Sequence, residues 1–141
     1  MRNMKKIVIK TLVCITPQSN SKRLIDYAYD IAQYQSSEFH ILYVERGDNI
    51  FTTAESFELL QKLFNYGSEL GGIVHVLCGD NVLDIIKEFI KNEEIMHVVF
   101  GEPPERVKSS ADSIIDQIKL FMPYLKIHVL KRDYNDDNLE Y

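Results

Sequence analysis

The chain is poor in several features that mark specialised protein classes. It has no tryptophan and only two cysteines, Cys14 and Cys78, both in apolar strand-like runs, which favours two buried free thiols in the reducing cytoplasm over a disulfide framework. Its net charge of −5 argues against a general nucleic-acid binder, which would show a basic face. No apolar run approaches the ~20 residues that span a membrane, and the start MRNMKKIVIK lacks the apolar core and cleavage site of a secretory leader.

What is present fits one globular domain. The 141 residues are 45% hydrophobic and 26% charged, which is ordinary for a globular protein large enough to bury a core. We expect an arm or strand extension at residues 1–9, a single domain at 10–132 and an acidic tail at 133–141.

Apolar runs and helical periodicities alternate along the chain. Strands are predicted at 11–16, 38–44, 73–78, 96–100 and 126–130, with helices starting near Ser19 or Ser21, at 53–70, after Asn81, and from Ser110 or Asp112 to 121. Each helix has an apolar stripe predicted to face inward, and the stripes are Leu24, Ala28 and Ile31; Phe57, Leu60, Phe64 and Gly67; Val82, Ile85, Ile86 and Phe89; and Ile114, Ile118 and Phe121.

This alternation predicts an α/β fold with three layers, in which a five-stranded, mainly parallel sheet has helices on both faces. Ligands of such sheets bind outside the carboxyl ends of the strands, where the strand order reverses. The loops to search are therefore 16–21, 44–48, 79–81 and 101–110.

Enzyme signatures are absent from the sequence. There is no G-x4-G-K-[ST], G-x-G-x-x-G or G-x-S-x-G segment, and Cys14 lies inside a predicted strand, where a reactive thiol is not expected. The scattered loop acids Asp80, Glu102 and Glu105 are interpreted as solvated side chains.

Four histidines fall near the starts of strands two to five, at His40, His75, His97 and His128. A row at the amino-terminal edge spreads its side chains by about 4.8 Å per strand, too wide for one tetrahedral ion. We therefore interpret them as polar residues at the edge of the sheet rather than as metal ligands.

The first loop is the best candidate for a ligand contact. Ser19 and Ser21 precede two cations, Lys22 and Arg23, at a helix amino terminus, which suits a small anion. The alternative is a helix cap followed by two solvated basic residues.

The segments LVCITPQSNSKRLIDYAYDIA, FHILYVE, GDNVLDIIKEFIKNEEIMHVVFG and IHVLKR, in this order and spacing, resemble the universal stress protein family. That family lies within the adenine-nucleotide α-hydrolase-like folds, and the nearer resemblance is to the stress-protein module of KdpD-type potassium-sensing histidine kinases. The resemblance implies a strand order of 3-2-1-4-5 and frequent dimers joined through the fifth strand.

The residues that bind ATP in this family are only partly retained. Thr16 stands where nucleotide-binding members carry an aspartate, and of the G-x2-G-x9-G-[ST] run after strand four only Gly101 is kept. Two prolines and two acids follow it, which removes N–H donors and repels phosphate. Lys108, Ser109 and Ser110 could partly restore an anion site, or form an ordinary polar helix start. We predict weak or absent ATP binding.

Some KdpD-type modules bind a cyclic dinucleotide through a serine pair in the first loop and an aromatic-rich second strand. The resemblance assigns these roles to Ser19, Ser21, Phe39 and Tyr43, although His40 and Ile41 replace the Thr and Ala of that pattern. A cyclic dinucleotide or an adenine nucleotide is thus the candidate ligand.

Two main hypotheses follow. The first is a non-catalytic cytoplasmic module that regulates stress or potassium-osmotic signalling through dimerisation and through a signalling partner or second messenger. The second is an ATP- or AMP-binding protein with a modified pocket. A small hydrolase or transferase of the same fold class, using Asp80 or Glu102, is a third and weaker alternative. A homodimer is predicted through strand five, with Ile127, Val129 and Lys131 at its interface.

Overall fold

The structure, a computed structural model, describes residues 7–16, 21–47, 54–102 and 114–131. These residues form alternating strands and helices in the following order: β1 (Lys10–Ile15), α1 (Ser21–Tyr34), β2 (Glu38–Arg46), α2 (Ala54–Glu69), β3 (Ile73–Gly79), α3 (Val82–Glu93), β4 (His97–Gly101), α4 (Ile114–Phe121) and β5 (Lys126–Leu130). None of the helices within these ranges is both long and apolar enough to cross a membrane.

The five strands make one parallel sheet in the order β3-β2-β1-β4-β5, as predicted. The central strand is β1, where Leu12 lies between His40 of β2 and Val98 of β4. Strands β3 and β5 are the two edges. The strand order reverses between β1 and β4, which places the crevice expected to take ligands beside the carboxyl ends of these two strands.

Side chains alternate between the two faces of the sheet and build two cores. On one face Leu12, Leu42 and Val98 pack beneath α3 and α4. On the other face Val13 and Ile41 pack beneath α1 and α2. Every residue of β1 from Thr11 to Val13 is fully buried, which is the pattern of a central parallel strand covered on both sides.

Polar and glycine residues at the turns set where the helices begin and end. Asn81 caps α3 by accepting a hydrogen bond from the backbone N–H of Asp84 at 3.1 Å. Gly71 ends α2 in a left-handed conformation with φ of 91°. Near the end of α2, a Cβ on Gly67 would overlap Cδ1 of Ile41, so glycine lets this helix lie against β2.

Two predicted inward helix positions and one predicted buried cysteine are corrected. Phe57 is 39% exposed and Leu63 is buried in its place, because the close approach at Gly67 turns the face carrying Leu60 and Leu63 toward the sheet. On α4, Phe121 is 56% exposed.

The ring of Phe121 lies outside the core, with its centroid 3.7 Å from the ammonium of Lys87, while Ile115 joins Ile118 in the core. Cys78 was expected to be buried but is exposed, because it lies at the end of an edge strand.

Candidate functional site

The crevice between β1 and β4 is bounded by Thr16, the exposed residue after β1, and by Gly101, the last residue of β4. A Cβ on Gly101 would lie 3.2 Å from Cδ1 of Leu24, which is buried on α1. Glycine at this position therefore serves close packing between β4 and α1. The next residue, Glu102, extends the ladder to β5 through its backbone N–H, which donates to the carbonyl of Leu130 at 2.9 Å.

Ser21 is fully buried, and its hydroxyl closes the first loop on itself. The hydroxyl donates to the carbonyl oxygen of Thr16 at 2.6 Å and accepts a bond from the N–H of the same residue at 3.3 Å. The serine therefore fixes how the chain passes from β1 into α1. Its hydroxyl already has two partners within the chain.

The two cations of the first turn of α1 point to different elements. The ammonium of Lys22 lies 4.8 Å from the ring centroid of Tyr66 on α2. Arg23 donates from Nη2 to the carbonyl of Lys131, after β5, at 3.4 Å. Tyr66 in turn donates a hydrogen bond to Asp26 of α1. The predicted cation pair is thus divided between the α2 side and the β5 side of the loop.

Tyr43 is 3% exposed and lies in the core between the sheet and α2, with its ring centroid 6.4 Å from that of Phe64. Its hydroxyl donates to the carboxylate of Glu45. Of the remaining predicted site residues, Ser19, Lys108, Ser109 and Ser110 lie outside the described residues, as does Glu105. Asp80 is exposed at the end of β3.

The two cysteines have different environments. Cys14 lies on the face beneath α3 and α4, and burial raises the pKa of its thiol to about 12. A thiol with so high a pKa carries almost no thiolate at neutral pH, in line with the prediction that Cys14 is not a nucleophile.

The histidines lie within the first three residues of their strands, as predicted, but they are not isolated edge residues. They form two hydrogen-bonded pairs, His40 with His75 and His97 with His128. His40 and His97 are 3% and 5% exposed. Within the described ranges, no group of three or more His, Cys, Asp or Glu residues is placed to hold a metal ion.

A groove of about 770 Å³ opens at the same amino-terminal edge of the sheet, opposite the predicted crevice. Ile90, Ile95 and His97 form part of its wall, and exposed Ile7 and Tyr124 lie at its sides. Sequence reasoning missed both the groove and the pairing. A signal for the histidine pairs was present in the sequence. Histidine recurs near the starts of β2 and β3, and of β4 and β5, and these strands are neighbours in the sheet.

No family model and no curated protein matches the chain at the sequence level. Solved structures do share its fold. A universal stress protein from Archaeoglobus fulgidus superposes with a TM-score of 0.66 at 18% identity, covering 87% of this chain and 93% of that one.

A universal stress protein in complex with cAMP has a TM-score of 0.60 at 15% identity, covering 90% and 98%. One from Archaeoglobus fulgidus in complex with dAMP has a TM-score of 0.57 at 14% identity, covering 88% and 98%. The chain therefore has the α/β fold of the universal stress proteins.

Proposed function

We propose that the chain is a non-catalytic regulatory module of the universal-stress-protein fold, similar to the module of KdpD-type kinases, which works in stress or potassium-osmotic signalling. The observation that carries this proposal is the crevice between β1 and β4. It has Thr16 in place of an acid, an internally bonded Ser21 and a carboxylate directly after Gly101.

The glycine content supports the same proposal. The last of the six glycines in the sequence is Gly101, so no later glycine lets backbone N–H groups approach a triphosphate. Glu102 places negative charge at the same point, which disfavours polyphosphate. We propose that any nucleotide bound here has fewer charges than ATP, and that a cyclic dinucleotide or a mononucleotide is the candidate messenger.

Isothermal titration with magnesium-ATP, AMP and a cyclic dinucleotide tests the choice of ligand. We expect no measurable heat from magnesium-ATP at millimolar concentration. We expect binding of one of the other two to weaken in Lys22→Ala, because Lys22 adjoins the first loop. Lys62→Ala, on the exposed surface of α2, is the matched control and should bind as the wild type does. Tight magnesium-dependent ATP binding would favour the alternative function, an ATP- or AMP-binding protein with a modified pocket.

We also propose that β5 joins two copies of the chain. Lys126 donates its N–H to the carbonyl of Met96, and the carbonyl of Leu130 accepts from Glu102, so the even-numbered residues of β5 direct their backbone groups to β4. Successive residues of a parallel strand direct their N–H and C=O groups to opposite sides. The backbone groups of Ile127 and Val129 therefore face the free edge of the sheet. Their side chains pack against the core beneath α3 and α4.

Light scattering with Val129→Pro tests this dimer. The substitution removes an outward N–H while leaving the bonds to β4, so we expect a mass near 16.4 kDa for a folded variant and about twice that for the wild type. Circular dichroism checks that the variant is folded. A wild-type mass of 16.4 kDa at all concentrations would refute the proposal.

A further inference from the structure

The histidine pair between β4 and β5, His97 and His128, links the edge strand β5 to the sheet through two imidazole rings. Nδ1 of His97 and Nε2 of His128 are 3.0 Å apart, and the rings are stacked with centroids 5.3 Å apart and planes inclined by 22°. His128 lies opposite Val99 in the strand register, so the contact is diagonal across the ladder.

The pair between β2 and β3 has the same construction. Nδ1 of His40 and Nε2 of His75 are 2.9 Å apart, with centroids 5.2 Å apart and planes inclined by 17°. His75 lies opposite Leu42, which gives the same diagonal offset. The residue alternation places this pair on the face of Leu12 and the other pair on the face of Val13. The two pairs therefore lie on opposite faces of the sheet, one on each side of β1.

Their charged surroundings differ. In the β2–β3 pair, Nε2 of His40 lies 3.0 Å from a carboxylate oxygen of Glu38. An ionised carboxylate only accepts, so His40 donates from Nε2, and in a neutral ring its Nδ1 accepts from Nε2 of His75. Burial, His40 and Lys10 lower the pKa of His75, while Glu93 acts in the opposite direction. This pair therefore has carboxylates as well as a lysine beside it.

No carboxylate is among the groups that shift the pKa values of the β4–β5 pair. Burial, His128 and Lys126 together lower the pKa of His97, and burial and Lys126 lower that of His128. Other charged side chains line the groove with His97, namely Lys10, Lys91, Glu38 and Glu94. The charged residues near the start and middle of α1, the helix packed over this face, are Lys22, Arg23, Asp26 and Asp30.

His97 and His128 cannot both be doubly protonated while their facing nitrogens remain hydrogen-bonded to each other. The bond between the two facing nitrogens needs one proton, and a second proton would place two N–H groups head to head. His97 is buried, so its charge would also be removed from water. Beyond this bond, β5 is held by the ladder to β4, by Arg23 on the carbonyl of Lys131, and by the packing of Ile127, Val129 and Leu130 against the two cores.

We propose that the His97–His128 pair is an acid-sensitive latch, which holds edge strand β5 on the sheet at neutral pH and releases it at mildly acidic pH, while the His40–His75 pair keeps β3 in place. The signal to which this latch responds is the proton concentration. Release would change the edge that the strand presents to any binding partner.

Amide hydrogen exchange on the full-length chain at pH 7.0 and pH 5.5, corrected for intrinsic exchange, tests the latch. We expect protection of the β5 amides to fall on the order of tenfold more than that of the β3 amides. His128→Gln retains an N–H that can donate to His97 but does not titrate, so in this variant the β5 amides should stay protected at pH 5.5. His75→Gln is the matched control and should leave the loss at β5 intact.

The proposal would be overturned if the amides of β3 and β5 lost protection equally, or if the β5 amides kept their protection at pH 5.5. It would also be overturned if His128→Gln lost as much protection at β5 as the wild type. Should His128→Gln fail to fold, ¹⁵N shifts of the histidine rings in the wild-type chain give the answer. Doubly protonated His97 and His128 rings in a chain whose β5 amides stay protected would also overturn it.

Discussion

His40 and His75 on one side of β1, and His97 and His128 on the other, differ chiefly in the charged group beside them. The first pair has Glu38 within hydrogen-bond distance of His40, whereas in the second pair, after burial, Lys126 contributes to lowering the pKa values of both rings. Ring spacing, ring tilt and strand offset are nearly the same. Nearly the same ring geometry is therefore combined with a carboxylate partner in the first pair and with Lys126 in the second, and we propose that this difference sets how each pair responds to protons.

The largest effect should come from removing one ring of each pair. His40→Ala should lower the free energy of unfolding by about 3 kcal/mol and His97→Ala by about 2 kcal/mol, because each leaves a cavity and an unpaired imidazole. The loss at His40 also leaves Glu38 without its partner. Urea unfolding at pH 7.5 measures both, with Lys62→Ala as a surface control. A larger loss at His97 would reverse the predicted ranking.

Removing the carboxylate should make the first pair behave like the second. Glu38→Gln keeps a side chain that accepts from His40 but loses the charge, and since Glu38 is 44% exposed we expect a loss of about 1 kcal/mol at pH 6. Hydrogen exchange of β3 at pH 5.5 should then approach that of β5. If β3 remains as protected as in the wild type, the Glu38 carboxylate is not what distinguishes the pairs.

The stability of the chain should fall as pH drops below 6.5, the ordinary pKa of histidine. In the folded chain the pKa values of His75, His97 and His128 are lowered, so the unfolded chain takes up protons first and acid favours unfolding. Lys126→Gln removes a positive charge beside one pair and should make this decrease shallower. Urea midpoints between pH 7.5 and 5.5 measure the slope, with Lys119→Gln on α4 as the control. A slope that both variants share with the wild type would mean that Lys126 has no part in it.

The smallest change should be seen at Cys14. If acid releases only β5, the thiol of Cys14 on the central strand stays buried, and its rate of reaction with a dithiodipyridine should change less than twofold between pH 7.0 and 5.5. Exposed Cys78 is the internal control and should react rapidly at both values. A Cys14 rate close to that of Cys78 at pH 5.5 would show that the whole sheet opens.

Most of the fold could be predicted from the sequence, because the signals are local. The apolar run from Leu12 to Ile15, the Asn81 cap and the Gly71 stop each specify their own segment, and strict alternation leaves few topologies. Helix faces were harder. Whether Phe57 or Leu63 faces the sheet depends on the close approach of Gly67 to Ile41, which is a tertiary contact.

The candidate site was less predictable for the same reason. The sequence places Ser21 in the first loop, but whether its hydroxyl is open to a ligand depends on a bond to Thr16 that only the folded loop makes. The histidine pairs require knowledge of register. The register pairs His97 with Lys126, so His128 lies two positions further along and meets His97 diagonally, and spacing along the chain does not specify that register.

The position of β1 at the centre of the sheet has a consequence for synthesis on the ribosome. Leu12 pairs with Val98, 86 positions further along, so β1 is made early and acquires its second neighbour late. Until β4 emerges, the nascent half-domain of β1, β2 and β3 presents β1 as an open apolar edge, which is the kind of surface that chaperones bind. We expect ribosome-bound chains that end between β3 and β4 to be the most sensitive to chaperone depletion.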